Sequence, residues 1–249
     1  MILTIARNEL RRMFLSPLAW TILAVVMMIL AFMFLSSLQY FVMIQSRLLS
    51  MGSDDGITAV VVAPLLGNAA VVLLLVVPLV SMRLVADERR NKTLSLLFSA
   101  PVSMTEIVLG KYLSLVAFLW LILALVALMP LSLLAGGTLD FGLFGAGLLG
   151  LALLLAGFAA VGLFMSTLTQ NQTVAAVSTF GVLLLFWILD WAGQGSGAAG
   201  ILGYMSILNH YEPFLQGIFD TRDAAYLVLF ILTFLMLSVR RLDMDRLGG

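Results

Sequence analysis

The side chains that could do chemistry in this chain are few and scattered. It has no cysteine, which removes disulfides, thiolate metal ligands and cysteine nucleophiles. The single histidine, His210, has one nearby acid in Glu212. A lone pair of that kind is a weak metal or proton-transfer site, and a structural role is the plainer reading. Gly110-Lys111 ends like a phosphate loop but lacks the upstream glycine, so ATP hydrolysis by that route is excluded. Asp190 comes closest to a charge inside an apolar run, and Trp187 and Trp191 put it at a membrane rim. No span therefore shows a clearly buried charge, which weighs against an ion-coupled carrier. Asn68, between Pro64 and Pro78, suits either a functional kink or a bond to a neighbouring helix. The 14 methionines invite a copper reading, but most lie in apolar runs, where methionine is ordinary filler.

The charge missing from the spans gathers in one stretch, residues 87–111. Asp87 and Glu88 open it, where carboxylates complement a helix N-terminus, and Arg89, Arg90 and Lys92 follow. Leu94, Leu97 and Phe98 share one face at i, i+3 and i+4, with Thr93 beside them and the cations off that face. Pro101 disfavours helix at Ala100 and ends it. Ser103-x-x-Glu106 is then a capping box that launches a new helix. The expectation is a short amphipathic helix over about 87–100, held at the membrane by a span on each side. The pattern fits a docking element for another protein and a lipid-hugging interfacial helix equally.

Membrane elements must position that stretch. At 62% hydrophobic and 10% charged, the chain is far too apolar for a soluble domain, whose charged share is roughly 25%. Six runs reach the roughly 20 residues a spanning helix needs: about 18–38, 59–82, 108–134, 141–168, 173–191 and 224–239. No sizeable soluble domain fits between them. The fourth run carries Gly142, Gly145, Gly147, Gly150 and Gly157, with Ala152, Ala156 and Ala160 spaced by four, a small-residue row that lets helices pack closely in lipid.

Residues 1–16 place Arg7, Arg11 and Arg12 opposite Ile5, Leu10 and Phe14, the pattern of a helix lying in the interface, and Ser16-Pro17 starts the first span. That run is too long for the apolar core of a cleaved signal peptide and reads as a retained span. Residues 39–58 read as a loop and 240–249 as a charged tail. Residues 201–219, broken in the middle by Pro213, read as two short interfacial or re-entrant helices.

Orientation follows from the cations. With six spans, Arg7, Arg11, Arg12, Arg83, Arg89, Arg90, Lys92, Lys111, Arg240, Arg241 and Arg246 share one side with both termini, and only Arg47 and Arg222 of the 13 Lys and Arg residues lie opposite. The positive-inside rule makes the populated side cytoplasmic.

As a string, Asp87-Glu88-Arg89-Arg90-Asn91-Lys92-Thr93-Leu94-Ser95-Leu96-Leu97, then Ser99-Ala100-Pro101-Val102-Ser103, then Glu106-Ile107-Val108-Leu109-Gly110-Lys111, resembles the coupling-helix region of type II ABC transporter permeases. Arg7-x-Glu9-Leu10-x-x-x-Phe14-x-Ser16-Pro17 resembles that family's amphipathic entry helix. Leu208-Asn209-His210 with Gly217, Asp220, Arg222, Asp223 and Tyr226 is similar to the final loop and span of its gliding-motility branch and of the nitrous-oxide-reductase maturation permeases. Two positions depart from the pattern: Lys92 stands for the expected glycine and Ser95 for the expected glutamate.

The resemblance implies an all-α, six-span integral membrane subunit. It has an N-terminal interfacial helix, a coupling helix, and short extracytoplasmic re-entrant helices before the last span. It also implies that the chain is not itself an enzyme and holds no cofactor or metal, with ATP and magnesium on two copies of a separate cytoplasmic ABC ATPase. Its surroundings would be a second permease copy or close paralogue, membrane lipid and an extracytoplasmic accessory protein, with no nucleic acid, in a bacterial inner membrane. The ATPase would dock on Glu88, Arg89, Arg90, Thr93, Leu94, Leu97, Phe98 and Pro101, and on Arg11 and Phe14 of the entry helix. The task would be export or transmission of mechanical work. A nucleotide-independent membrane scaffold is the rival reading, and an ion-coupled carrier a third.

Overall fold

The computed structural model describes residues 1–51, 56–91, 103–135, 139–193 and 203–247, and all regular structure among them is helical. Six helices are long and apolar enough to cross a bilayer. The entry helix α1 (Ile2–Leu15) ends where Ser16 turns to extended backbone, and α2 begins at Pro17, whose missing N–H costs nothing in a first turn. Helix α2 (Pro17–Met51) runs well past Gln39, where hydropathy alone ends the span and a loop was expected. No proline or glycine occurs between Pro17 and Met51, so nothing in the backbone stops it.

A π-helical turn (Thr58–Val62) leads into α3 (Ala63–Ser81), which keeps Pro78 inside it. A turn over residues 82–85 separates α3 from the five-residue α4 (Ala86–Arg90). Helix α5 (Met104–Ser132) opens on the capping box read from the sequence. The Glu106 N–H donates to Ser103 Oγ at 3.2 Å and the Ser103 N–H to Glu106 Oε2 at 3.1 Å. The helix therefore starts before hydropathy rises, and Lys111 falls two turns inside it.

Helix α6 (Phe141–Leu168), capped by Asp140, is the central post, and α3, α5, α7 (Gln172–Gly193), α8 (Ile207–Leu215) and α9 (Thr221–Leu247) all pack on it. Its small residues are what allow this. A Cβ on Gly162 would lie 2.4 Å from Ser81 Oγ of α3, and one on Gly150 would lie 2.5 Å from the Phe214 Cβ of α8. Burial divides the spans accordingly. Two-thirds of the α6 span (67%) is covered by the rest of the chain, against 22% for α2 and 17% for α7.

Pro213 does not break the segment before the last span. Helix α8 continues through it and ends two residues later in a Schellman turn. There the Ile218 N–H meets Pro213 O at 2.9 Å, the Gly217 N–H meets Phe214 O at 3.2 Å, and Gly217 takes φ 79°. The expected charged tail is helical too, because α9 runs on to Leu247 with Arg241 and Asp245 paired one turn apart at 3.7 Å.

Candidate functional site

The short segment between the second and third spans is bound, residue by residue, to different parts of the bundle. Its first two amides, Val85 N–H and Ala86 N–H, both donate to Ser166 Oγ of α6 at 3.1 Å. The same hydroxyl donates to Met82 O at 3.2 Å. A side chain from another span thus supplies the cap that α4 lacks in its own sequence. Asp87 accepts from Gln172 Nε2 at the start of α7. Glu88 accepts from Lys111 of α5 at 2.7 Å. Arg89 pairs with Asp245 near the end of α9.

Lys111 is the centre of this arrangement. Its side chain is only 2% exposed, and its three donors meet three acceptors: Glu88 Oε1 at 2.7 Å, Leu84 O at 2.7 Å and Glu9 Oε1 of the entry helix at 2.8 Å. One cation between two carboxylates, with the third donor on a main-chain carbonyl, satisfies the ammonium fully, which a buried charge requires. Gly110 makes the approach possible, since a Cβ there would fall 2.7 Å from the Ile5 Cβ of α1. The expectation that no span buries a charge is therefore overturned by Lys111. Lys111 lies in the third apolar run but was counted with the cytoplasmic cations, and the helix that starts at Met104 puts it two turns in.

At the opposite end a second polar group ties α8 to the start of α9. His210 Nδ1 lies 2.7 Å from Asp223 Oδ1 and His210 Nε2 lies 2.9 Å from Tyr204 O. The Tyr226 ring stacks on the imidazole at 3.9 Å, and Tyr226 O–H donates to Met205 O at 2.8 Å. Tyr211 O–H reaches Leu66 O of α3 at 3.1 Å, and burial pushes its phenol well above the usual tyrosine range, so it stays a donor. His210 thus has a structural placement, and among the described residues no group of acids and histidines could hold a metal ion.

The model of the ABC-2 family transporter proteins matches residues 3–243, nearly the whole chain. The chain belongs to the ABC-2 transporter family. No curated protein matches it. It is an ABC transporter permease, a multi-pass membrane subunit, and membership of this family implies an ABC ATPase subunit as partner.

For this ABC-2 permease, the structure separates the residues expected to dock the ATPase. Arg90 and Arg11 are exposed. Glu88 and Arg89 turn inward to Lys111 and Asp245, so their side chains serve the bundle. Phe14 is half-buried, with its ring 5.7 Å from Phe118 of α5 and 5.8 Å from Trp20 of α2. Thr93, Leu94, Leu97, Phe98 and Pro101 lie outside the described residues, as do the departures at Lys92 and Ser95. Sequence reading missed Glu9, Lys111, Ser166, Gln172 and Asp245. One signal was present: a lysine beside a glycine inside an apolar run, eight residues after a capping serine.

Proposed function

We propose that this chain is the membrane half of an ATP-driven transporter of the bacterial inner membrane. Its termini and the 83–107 segment lie in the cytoplasm. Two copies, or one copy and a close paralogue, would work with two ATPase subunits that carry the ATP and magnesium. The task is export of a substrate or transmission of mechanical work to an extracytoplasmic partner. The residues after Arg90, with Arg90 and the outer face of α1 around Arg11, form the docking surface. Residues 85–89 pass the displacement on.

The observation that carries this reading is the wiring of residues 85–89. A segment that only hugged lipid would need an apolar face and a polar face, not hydrogen bonds and ion pairs to four other spans and, through Lys111, a connection to the entry helix. A segment that relays force from a docked subunit needs such links, because packed helices move as rigid units when a shared anchor is displaced. The orientation is supported by the excess of arginine and lysine at this end. The test is purification of the tagged chain from native membranes. An ATP-hydrolysing subunit should co-purify in vanadate-sensitive form and be lost from an Arg11→Glu/Arg90→Glu double variant. Recovery of the chain without any ATPase would defeat the reading.

A further inference from the structure

Beside the Lys111 cluster is a cavity of about 220 Å³, against the roughly 10–15 Å³ that a single water needs. It lies between α1, the start of α2 and the end of α3, beside the first residues of the first candidate span and the last turns of the second, where charged residues begin to replace apolar ones. Its apolar wall is Met13, Leu18, Ala19 and Val80. Its charges are unevenly matched. Asp87 is bonded to the neutral amide of Gln172, so its own negative charge has no cation against it among the described residues. Arg83 is exposed and has no hydrogen-bond or ionic partner among the described residues. Arg12 reaches Glu9 only at 3.9 Å and is 74% exposed.

We propose that this cavity holds the headgroup of a zwitterionic, primary-amine phospholipid, phosphatidylethanolamine. Arg83 and Arg12 bind its phosphodiester, and Asp87 accepts from its ammonium. Leaving the second span, the lining passes from apolar Val80 to the cation Arg83 and then to the carboxylate Asp87. That is the order of acyl ester, phosphate and amine in the lipid. A purely anionic headgroup would set its second polar part against the carboxylate of Asp87. A quaternary ammonium would be expected to use aromatic faces, and among the described residues no aromatic lines the cavity. A bound headgroup would fasten α1 to the α3–α4 turn and so brace the Glu9–Lys111–Glu88 cluster from outside. The inference needs only the membrane level of the cavity and does not depend on how an ATPase docks.

The test uses the full chain in nanodiscs made from equal parts phosphatidylethanolamine, phosphatidylcholine and phosphatidylglycerol, followed by detergent release and native mass spectrometry. One phosphatidylethanolamine per chain should be retained over both other lipids. Arg12→Gln/Arg83→Gln should lower retention at least about tenfold, the scale of losing a charged hydrogen bond, while Arg7→Gln should leave it unchanged. Leu18→Trp, which fills the cavity without altering charge, should also expel the lipid. Preference for phosphatidylglycerol, retention that survives the double variant, or equal displacement by soluble glycerophosphoethanolamine would each overturn the proposal. ATPase co-purification with Arg12→Gln/Arg83→Gln, scored in parallel, reports separately on docking.

Discussion

The two ends of the bundle are held together by different means. At the end with the termini, charged and polar groups join helices far apart in the chain: Arg89 to Asp245, Lys111 to Glu9, and Asp87 to Gln172. Two of these end on one short segment, and the third joins it because Lys111 also binds Glu88. At the other end the polar pair, His210 and Asp223, is local and binds α8 to the helix that follows it. There α8 meets α6 by shape, with Phe214 over Gly150, and meets α3 through one tyrosine hydroxyl. The first end is built so that a displacement of one segment reaches all its neighbours. At the second, α8 is held to the start of α9 by a polar pair and to α6 by shape, so the proposed relay would have α8 and the start of α9 move together. Input and output ends of a relay need that difference.

The largest expected effect comes from breaking the input end at its centre. Lys111→Met leaves Glu9 and Glu88 facing each other without their shared cation and should cost about 3–5 kcal/mol. Thermal unfolding in detergent would check this, and Glu9→Gln/Glu88→Gln added to Lys111→Met should restore much of the loss. At the output end, Gly150→Val should cost about 1–3 kcal/mol by driving α8 off α6, with the Lys111 cluster untouched. Proteolysis within residues 203–220 should quicken while the α1–α5 contact persists. His210→Ala, which removes two hydrogen bonds, should cost about 1–2 kcal/mol and leave ATPase co-purification unchanged. If it weakened that association, the two ends would not be separable as described. Smallest in stability is Arg90→Glu, exposed and within about 0.5 kcal/mol of wild type, yet it should reduce ATPase co-purification.

The six spans, the capping box and the close packing of the fourth span were all legible in the sequence, because each depends on local pattern. Apolar length marks a span, Ser103 and Glu106 mark a helix start, and small residues at helical spacing mark close approach. The polar cluster was not legible, because its members lie far apart in sequence and each looks ordinary alone. Glu9 reads as part of an interfacial helix, Ser166 as the end of a span, and Asp245 as part of a tail. Lys111 was misread because it was grouped with the cations beside the membrane although it lies inside the third apolar run, and the run alone does not show that partners for a buried charge arrive from other helices. Pro213 was misread for a related reason. Its effect on a helix depends on how the next turn closes, and Gly217 closes this one.

The central claim is that residues 85–89 carry motion from the docking surface to the far end of the bundle. Because the chain has no cysteine, spin labels can be placed at Ile218→Cys and Leu128→Cys, both exposed, and their separation measured in the ATPase complex with and without ATP and vanadate. The relay predicts a nucleotide-dependent shift in the otherwise native chain. It also predicts loss of that shift in Asp87→Asn/Glu88→Gln, with ATPase still bound and hydrolysing. A shift of equal size in that variant would contradict it.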